Sequence, residues 1–207
     1  PTAVVASTMA DSNASCNGVN DGVATASAIG GTGAYTFNWS NGQTTATANG
    51  LGAGTHTVTI TDVNGCFDTA NVLITEPDLL IATATLDNDV NCNGGNDGQA
   101  TVSAIGGTTP YTYLWSNGQT TATAAGLAAA TYFVTVTDSN GSFDSDSVVI
   151  SEPTILVASI SLDSNASCFG TATGGATASA IGGFGTYSFT WNHGPTTASI
   201  DGLAAGT

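Results

Sequence analysis

The chain has 207 residues with no Lys and no Arg, 15 Asp plus Glu and two His, for a formal net charge of −15. Ordinary salt bridges are therefore excluded, since only His56, His193 and the chain amino group can turn positive, and stability must come from apolar burial, backbone pairing and crosslinks. The same balance argues against nucleic acid, whose phosphates need cationic contacts, and against an anionic membrane surface. No stretch approaches the roughly 20 apolar residues of a membrane-spanning helix, so no membrane insertion is expected. The excess acid is read as a solubility device, with self-repulsion keeping a repetitive surface from sticking.

Charged residues make up only 7% of the chain, which is instead rich in Thr, Ala, Gly, Ser and Val. That composition favours strands and tight turns. Internal repetition then decides the architecture. Tyr35-Thr36-Phe37-Asn38-Trp39-Ser40-Asn41-Gly42-Gln43-Thr44-Thr45 returns almost unchanged from Tyr111 to Thr121, and in weathered form from Tyr187 to Thr197. Each step is 76 residues. The expected domains are 1–76, 77–152 and 153–207, the last incomplete and lacking its final strands.

In chain order, copy one opens with a predicted strand, Ala3 to Met9. The Asn-, Asp- and Gly-rich stretch 11–22 reads as a long loop. A second strand covers Val23 to Ile29 and stops at Gly30-Gly31. Tyr35, Phe37 and Trp39 alternate on a third strand and so share one face. The equivalent rows are Tyr111, Tyr113, Trp115 and Tyr187, Phe189, Trp191, and all nine are expected in the core rather than as sugar-stacking platforms. Asn41-Gly42 reads as a tight turn before a fourth strand at Thr44 to Ala48. Leu51 anchors a glycine-rich connection. Thr55 to Asp62 alternates His56, Val58, Ile60 against threonines, the strongest strand signal in the copy. Asp62-Val63-Asn64-Gly65 closes a hairpin onto a last strand, Phe67 to Thr75, before Glu76-Pro77.

Six or seven short strands per copy predict an all-β chain of tandem antiparallel β-sandwich modules, with the aromatic row and the Val/Ile row as inner faces. The modules abut at Glu-Pro with no flexible linker, and Pro restricts both itself and its predecessor. A semi-rigid string follows.

Several motifs recur in fixed order: Cys-Asn-Gly-x-Asn-Asp-Gly, Gly-Gly, Tyr-x-x-x-Trp-Ser-Asn-Gly, Gly-Leu-x-Ala-Gly-Thr, Val-Thr-Asp-x-Asn-Gly-Cys and a closing Glu-Pro. Together they resemble the SprB repeat of large surface adhesins in gliding and other Bacteroidota. The resemblance implies an immunoglobulin-like or PKD-like sandwich, type IX secretion, an extracellular or cell-surface location, and a role in adhesion or gliding motility. It brings no catalytic residues, and no nucleophile–base pair repeats in the chain, so an enzyme is not expected. Expected partners are the chain itself or neighbouring repeats and chains, with surface polysaccharide a further candidate. The alternative reading is a self-assembling filament or sheath subunit completed by strand exchange, and a third is a calcium- or carbohydrate-binding module.

The family pattern has a second Cys after Asn-Gly, which copy one supplies as Cys66 and copy two replaces with Ser142. In copy three, Asp21 and Asp97 give way to Thr173. The simplest disulfide is Cys16–Cys66, within copy one; strand counting leaves open whether the two loops share an end. Cys92 and Cys168 lack partners in their own copies and are read as unpaired, either buried or crosslinking neighbouring molecules. Asp21, Asp62, Asp97 and Asp138 carry oxygens of the kind calcium takes, but neither motif supplies the spaced run of an EF-hand loop. Turn chemistry is the preferred reading, and no cofactor is expected.

Overall fold

The computed structural model describes residues 2–192 and 194–205, so His193 lies outside the described residues. Copy one folds into six strands: β1 (Val5–Ser12), β2 (Gly22–Ile29), β3 (Thr36–Trp39), β4 (Thr47–Leu51), β5 (Gly54–Thr61) and β6 (Phe67–Ile74). Copy two repeats them as β7 (Ile81–Asn88), β8 (Gly98–Ile105), β9 (Thr112–Trp115), β10 (Thr123–Leu127), β11 (Ala130–Thr137) and β12 (Phe143–Ile150). Copy three contributes β13 (Val157–Ser164), β14 (Ala172–Ile181) and β15 (Ser199–Ala204).

In copy one the sheets are β1-β2-β4 and β3-β5-β6, and copy two reproduces both orders. This is the immunoglobulin connection pattern, A-B-E against C-F-G, with strand D missing. The fold is thus a tandem series of immunoglobulin-like sandwiches with a 76-residue period. The chain divides into two compact units: Pro1–Ala84 with Val102–Ala122 and Phe133–Asp146, and Thr85–Thr101 with Thr123–Tyr132 and Ser147–Thr207.

Asn41-Gly42 does form a turn: the Gly42 amide donates to the Trp39 carbonyl at 2.8 Å and Gly42 has φ +85°. It does not join hairpin partners, however, because β3 and β4 belong to different sheets. The chain crosses the sandwich here, and for that reason the fourth strand starts only at Thr47. The aromatic row and the Val/Ile row also differ from expectation. They are cross-strand partners in one sheet, Phe37 opposite Ile60 and Trp39 opposite Val58. The facing sheet offers small side chains, Ala24, Ala26 and Ala48, together with Leu51. Bulk on one inner face meets alanine on the other, and the two interlock at normal sheet spacing.

Trp39 is buried at 2% exposure, and its indole N–H donates to the Thr45 carbonyl at 2.9 Å. Trp115 matches it at 1%, donating to Thr121. Tyr35 and Phe37 pack against the core from its margin, and Tyr111 and Tyr113 are likewise half-buried. In copy three Phe189 and Trp191 are half-buried and Tyr187 is 43% exposed. Residues 187–191 form no strand, because β3 pairs only with β5 and copy three has no counterpart of β5 among the described residues.

β1 and β6 lie side by side and run parallel. The Ala6 amide meets the Asp68 carboxylate, the Thr8 hydroxyl meets the Asn71 carbonyl, and the Ala14 amide meets the Thr75 carbonyl. Each sandwich therefore takes in the chain at one end and releases it at the other.

Candidate functional site

The chemistry of this chain is concentrated at the two ends of each sandwich. At the entry end, Gly31 donates to the Thr2 carbonyl at 3.0 Å. A side chain at Gly30, whose φ is +80°, would collide with the Ala3 carbonyl. Both glycines hold φ above zero, a region open to Gly at no steric cost. The adjoining hairpin is built around Asp62. Its carboxylate accepts from the amides of Thr32, Asn64 and Cys66, each at 2.9 Å. Asp138 repeats the arrangement with Thr108, Asn140 and Ser142 at 2.8–2.9 Å.

Both carboxylates are buried, at 6% and 5% exposure. Burial pushes the Asp62 carboxyl up, but the N–H bonds, that of Cys66 foremost, outweigh it and hold the group below the ordinary 3.8. Asp138 is lowered in the same way, with the Thr108 bond foremost. The Asp21 carboxyl is lowered by the Ser15 hydroxyl and amide, and that of Asp97 by the Asn91 side chain and amide. In copy three the Thr173 hydroxyl takes over this loop contact, accepting from the Ser167 amide at 2.9 Å. All four calcium candidates thus spend their oxygens on turn and loop N–H and O–H groups. Among the described residues no group of three or more His, Cys, Asp or Glu is placed to hold a metal.

At the exit end the Glu-Pro joint is clamped. Glu76 accepts from the Gly18 amide at 2.6 Å and from the Asn17 side chain at 3.2 Å, and that same side chain also donates to the Pro77 carbonyl. Glu152 makes the same three contacts with Gly94 and Asn93, which reaches on to Pro153. Sequence reasoning missed this clamp. Its signal was the recurrence of Asn-Gly after the first cysteine together with Glu-Pro, each at the same period.

The loop that clamps Glu76 also touches the next copy. The Asn140 side chain donates to the Ser15 carbonyl at 2.7 Å, and Cys16 Sγ lies 3.9 Å from the Asn140 carbonyl oxygen. The expected Cys16–Cys66 disulfide is not formed; all four cysteines carry free thiols. Register explains why. Cys16 follows β1 at the exit end, whereas Cys66 precedes β6 at the entry end. The eight residues of β6 lie between those ends, roughly 25 Å of extended chain.

The sequence also gave no warning of how the sheet edge is closed. The Asp68 carboxylate caps the Ala6 amide on β1, and in copy two Asp144 and Asp146 cap Ala82 and Ala84 at 2.8 Å. A chain without lysine shields this edge with aspartate acceptors instead.

Six-stranded sandwiches of one design, repeated at a fixed period and joined by clamped Glu-Pro steps, define a tandem immunoglobulin-like repeat protein. The SprB-repeat family model matches over residues 10–44, 88–120 and 164–196, so the chain carries the SprB repeat three times. No curated protein matches the chain. Among solved structures, a C-terminal 282-residue fragment of intimin, in complex with the intimin-binding domain of the translocated intimin receptor, shares 15% identity at a TM-score of 0.34. That match covers 75% of this chain and 66% of the fragment, just under two-thirds of its length. An amphioxus IgVJ-C2 molecule shares 15% identity over 70% of this chain and 95% of its own, at a TM-score of 0.30. A tetra-tandem repeat from the extending region of a large adhesion protein shares 14% over 100% and 67%, at 0.28. At these scores the likenesses are loose, and nothing about function follows from them.

Proposed function

We propose that the chain is a spacer of a cell-surface adhesin: modules bounded at Glu76-Pro77 and Glu152-Pro153, joined by restrained steps, working mechanically rather than catalytically. The observation that carries this reading is the clamp, which occurs twice with the same atoms. A linker meant to flex has no use for a carboxylate locked onto the preceding loop, whereas a module that must hold its neighbour in a set direction does. In a linear array each unit interacts chiefly with its neighbours, so length grows without redesign of the fold. An extracellular location, type IX export and a part in surface motility belong to the same reading through the SprB repeat.

Glu76→Ala with Glu152→Ala tests it. Small-angle scattering should show a broader spread of dimensions in the double variant than in the parent, while circular dichroism stays the same. Identical scattering curves would remove the clamp as the source of stiffness.

A second reading is self-assembly into a filament or sheath, with neighbouring chains as the partners. Sedimentation velocity over a concentration series separates the two: a constant sedimentation coefficient supports the spacer, and growing species support the filament.

A further inference from the structure

We propose that the cysteines of this repeat join successive copies, position 16 of one copy to position 66 of the copy that follows, across the junction. The inference concerns the thiol chemistry of the joint and rests on its geometry, not on the spacer reading.

A disulfide needs Cα atoms about 4.4–6.8 Å apart. The ends of β6 are several times farther apart than that, so Cys16 and Cys66 of one copy never meet. Across the junction, position 16 comes up against the second copy's turn. Cys16 Sγ sits 3.9 Å from the carbonyl of Asn140, and Ser142 is two residues further along the same turn. Cys16 and Ser142 line one cavity of about 300 Å³, together with Asp78, Leu79, Leu80 and Phe143.

Ser142 stands one 76-residue period after Cys66. The backbones of the two turns match: the amide of each residue donates to the turn aspartate. Their surroundings differ. Cys66 is exposed, whereas the Ser142 hydroxyl is buried and makes no well-formed hydrogen bond, though it leans towards the Asp138 carboxylate. A buried hydroxyl without a well-formed hydrogen bond is a poor fit, and a sulfur, which behaves as a small hydrophobe, is a better one. The slot suits a thiol lining the same cavity as Cys16, and in this chain serine fills it.

Closing such a bridge removes one hydrogen from each thiol and forms one S–S bond. The two electrons and two protons pass to a small-molecule disulfide such as oxidised glutathione, which leaves as two thiols.

Ser142→Cys supplies the missing half. The whole chain, treated with oxidised glutathione, would be digested with a protease that cuts before Asp. Cleavage at Asp11, Asp21, Asp62, Asp68, Asp89, Asp97, Asp138 and Asp144 puts each relevant cysteine in a separate peptide. Mass spectrometry should find the Cys16 peptide joined to the peptide carrying the new cysteine in most molecules, with no joined pair containing Cys66. The oxidised variant should also melt several degrees above its reduced form. A free Cys16, a Cys16–Cys66 pair, or a new thiol found only in crosslinks between molecules would overturn the proposal. Ser142→Ala guards against a misfolded variant: it should melt no lower than the parent, and a clear drop would show that the hydroxyl already has a partner and that the slot is not a vacant thiol site.

Discussion

Trp39 shows what one residue does here. Its ring fills the space opposite Ala24, Ala26 and Ala48, and its N–H satisfies the Thr45 carbonyl in the crossover between sheets. Trp39→Ala should cost about 3–5 kcal/mol by the usual toll for deleting a large buried aromatic. Urea unfolding followed by circular dichroism would measure it; a cost under about 1 kcal/mol would mean that the alanine face collapses to fill the gap. The burial of this residue was legible in the sequence, because alternation put Tyr35, Phe37 and Trp39 on one face. The graded burial along that row was not, since it depends on how far β5 and the alanine sheet extend over it. The role of Asp62 was half legible: Asp-x-Asn-Gly announced a turn, but the donor from Thr32 arrives from thirty residues away and no local pattern shows it.

At the scale of the element, the edge between β1 and β6 is where ionisation bears on structure. The Asp68 carboxyl is lowered, first by the Ala6 amide and then by that of Thr69, against a smaller desolvation effect. A folded-state pKa below the ordinary 3.8 means that the carboxylate's contribution is complete above 3.8 and is lost as pH falls through the lowered value. Hydrogen exchange at Ala6, corrected for the intrinsic rate, should therefore speed up in strong acid and in Asp68→Ala at neutral pH. If exchange at Ala6 is unchanged in Asp68→Ala, the edge is held by backbone geometry alone. This closure was hidden in the sequence. The strands were legible from their alternation, yet which sheet each joins was not. Asn41-Gly42 has the composition of a hairpin turn, but the chain crosses instead, so that Ala48 and Leu51 of β4 join the sheet that covers Val58 and Ile60 of β5.

Across the whole molecule, charge and turn chemistry pull in opposite directions. With a net charge of −15 and a sequence pI near 4.1, self-repulsion should ease as salt is added or as pH falls from 7 towards the pI. Below 3.8 the lowered carboxylates, Asp62 and Asp138 among them, begin to give back their contribution. Melting temperature should rise with sodium chloride at pH 7, rise modestly into mild acid and drop once pH passes below 3.8. A melting temperature indifferent to salt would show that repulsion does not limit stability. The parallel run of β1 beside β6 has a consequence of another kind. Each of the first two copies is entered at one end of that pair and left at the other, so tension on the chain slides the two strands along each other. The contacts of Ala6, Thr8 and Ala14 then bear the load together, and the module gives way only when they fail as a group. A rope has the same property when its fibres are laid along the pull.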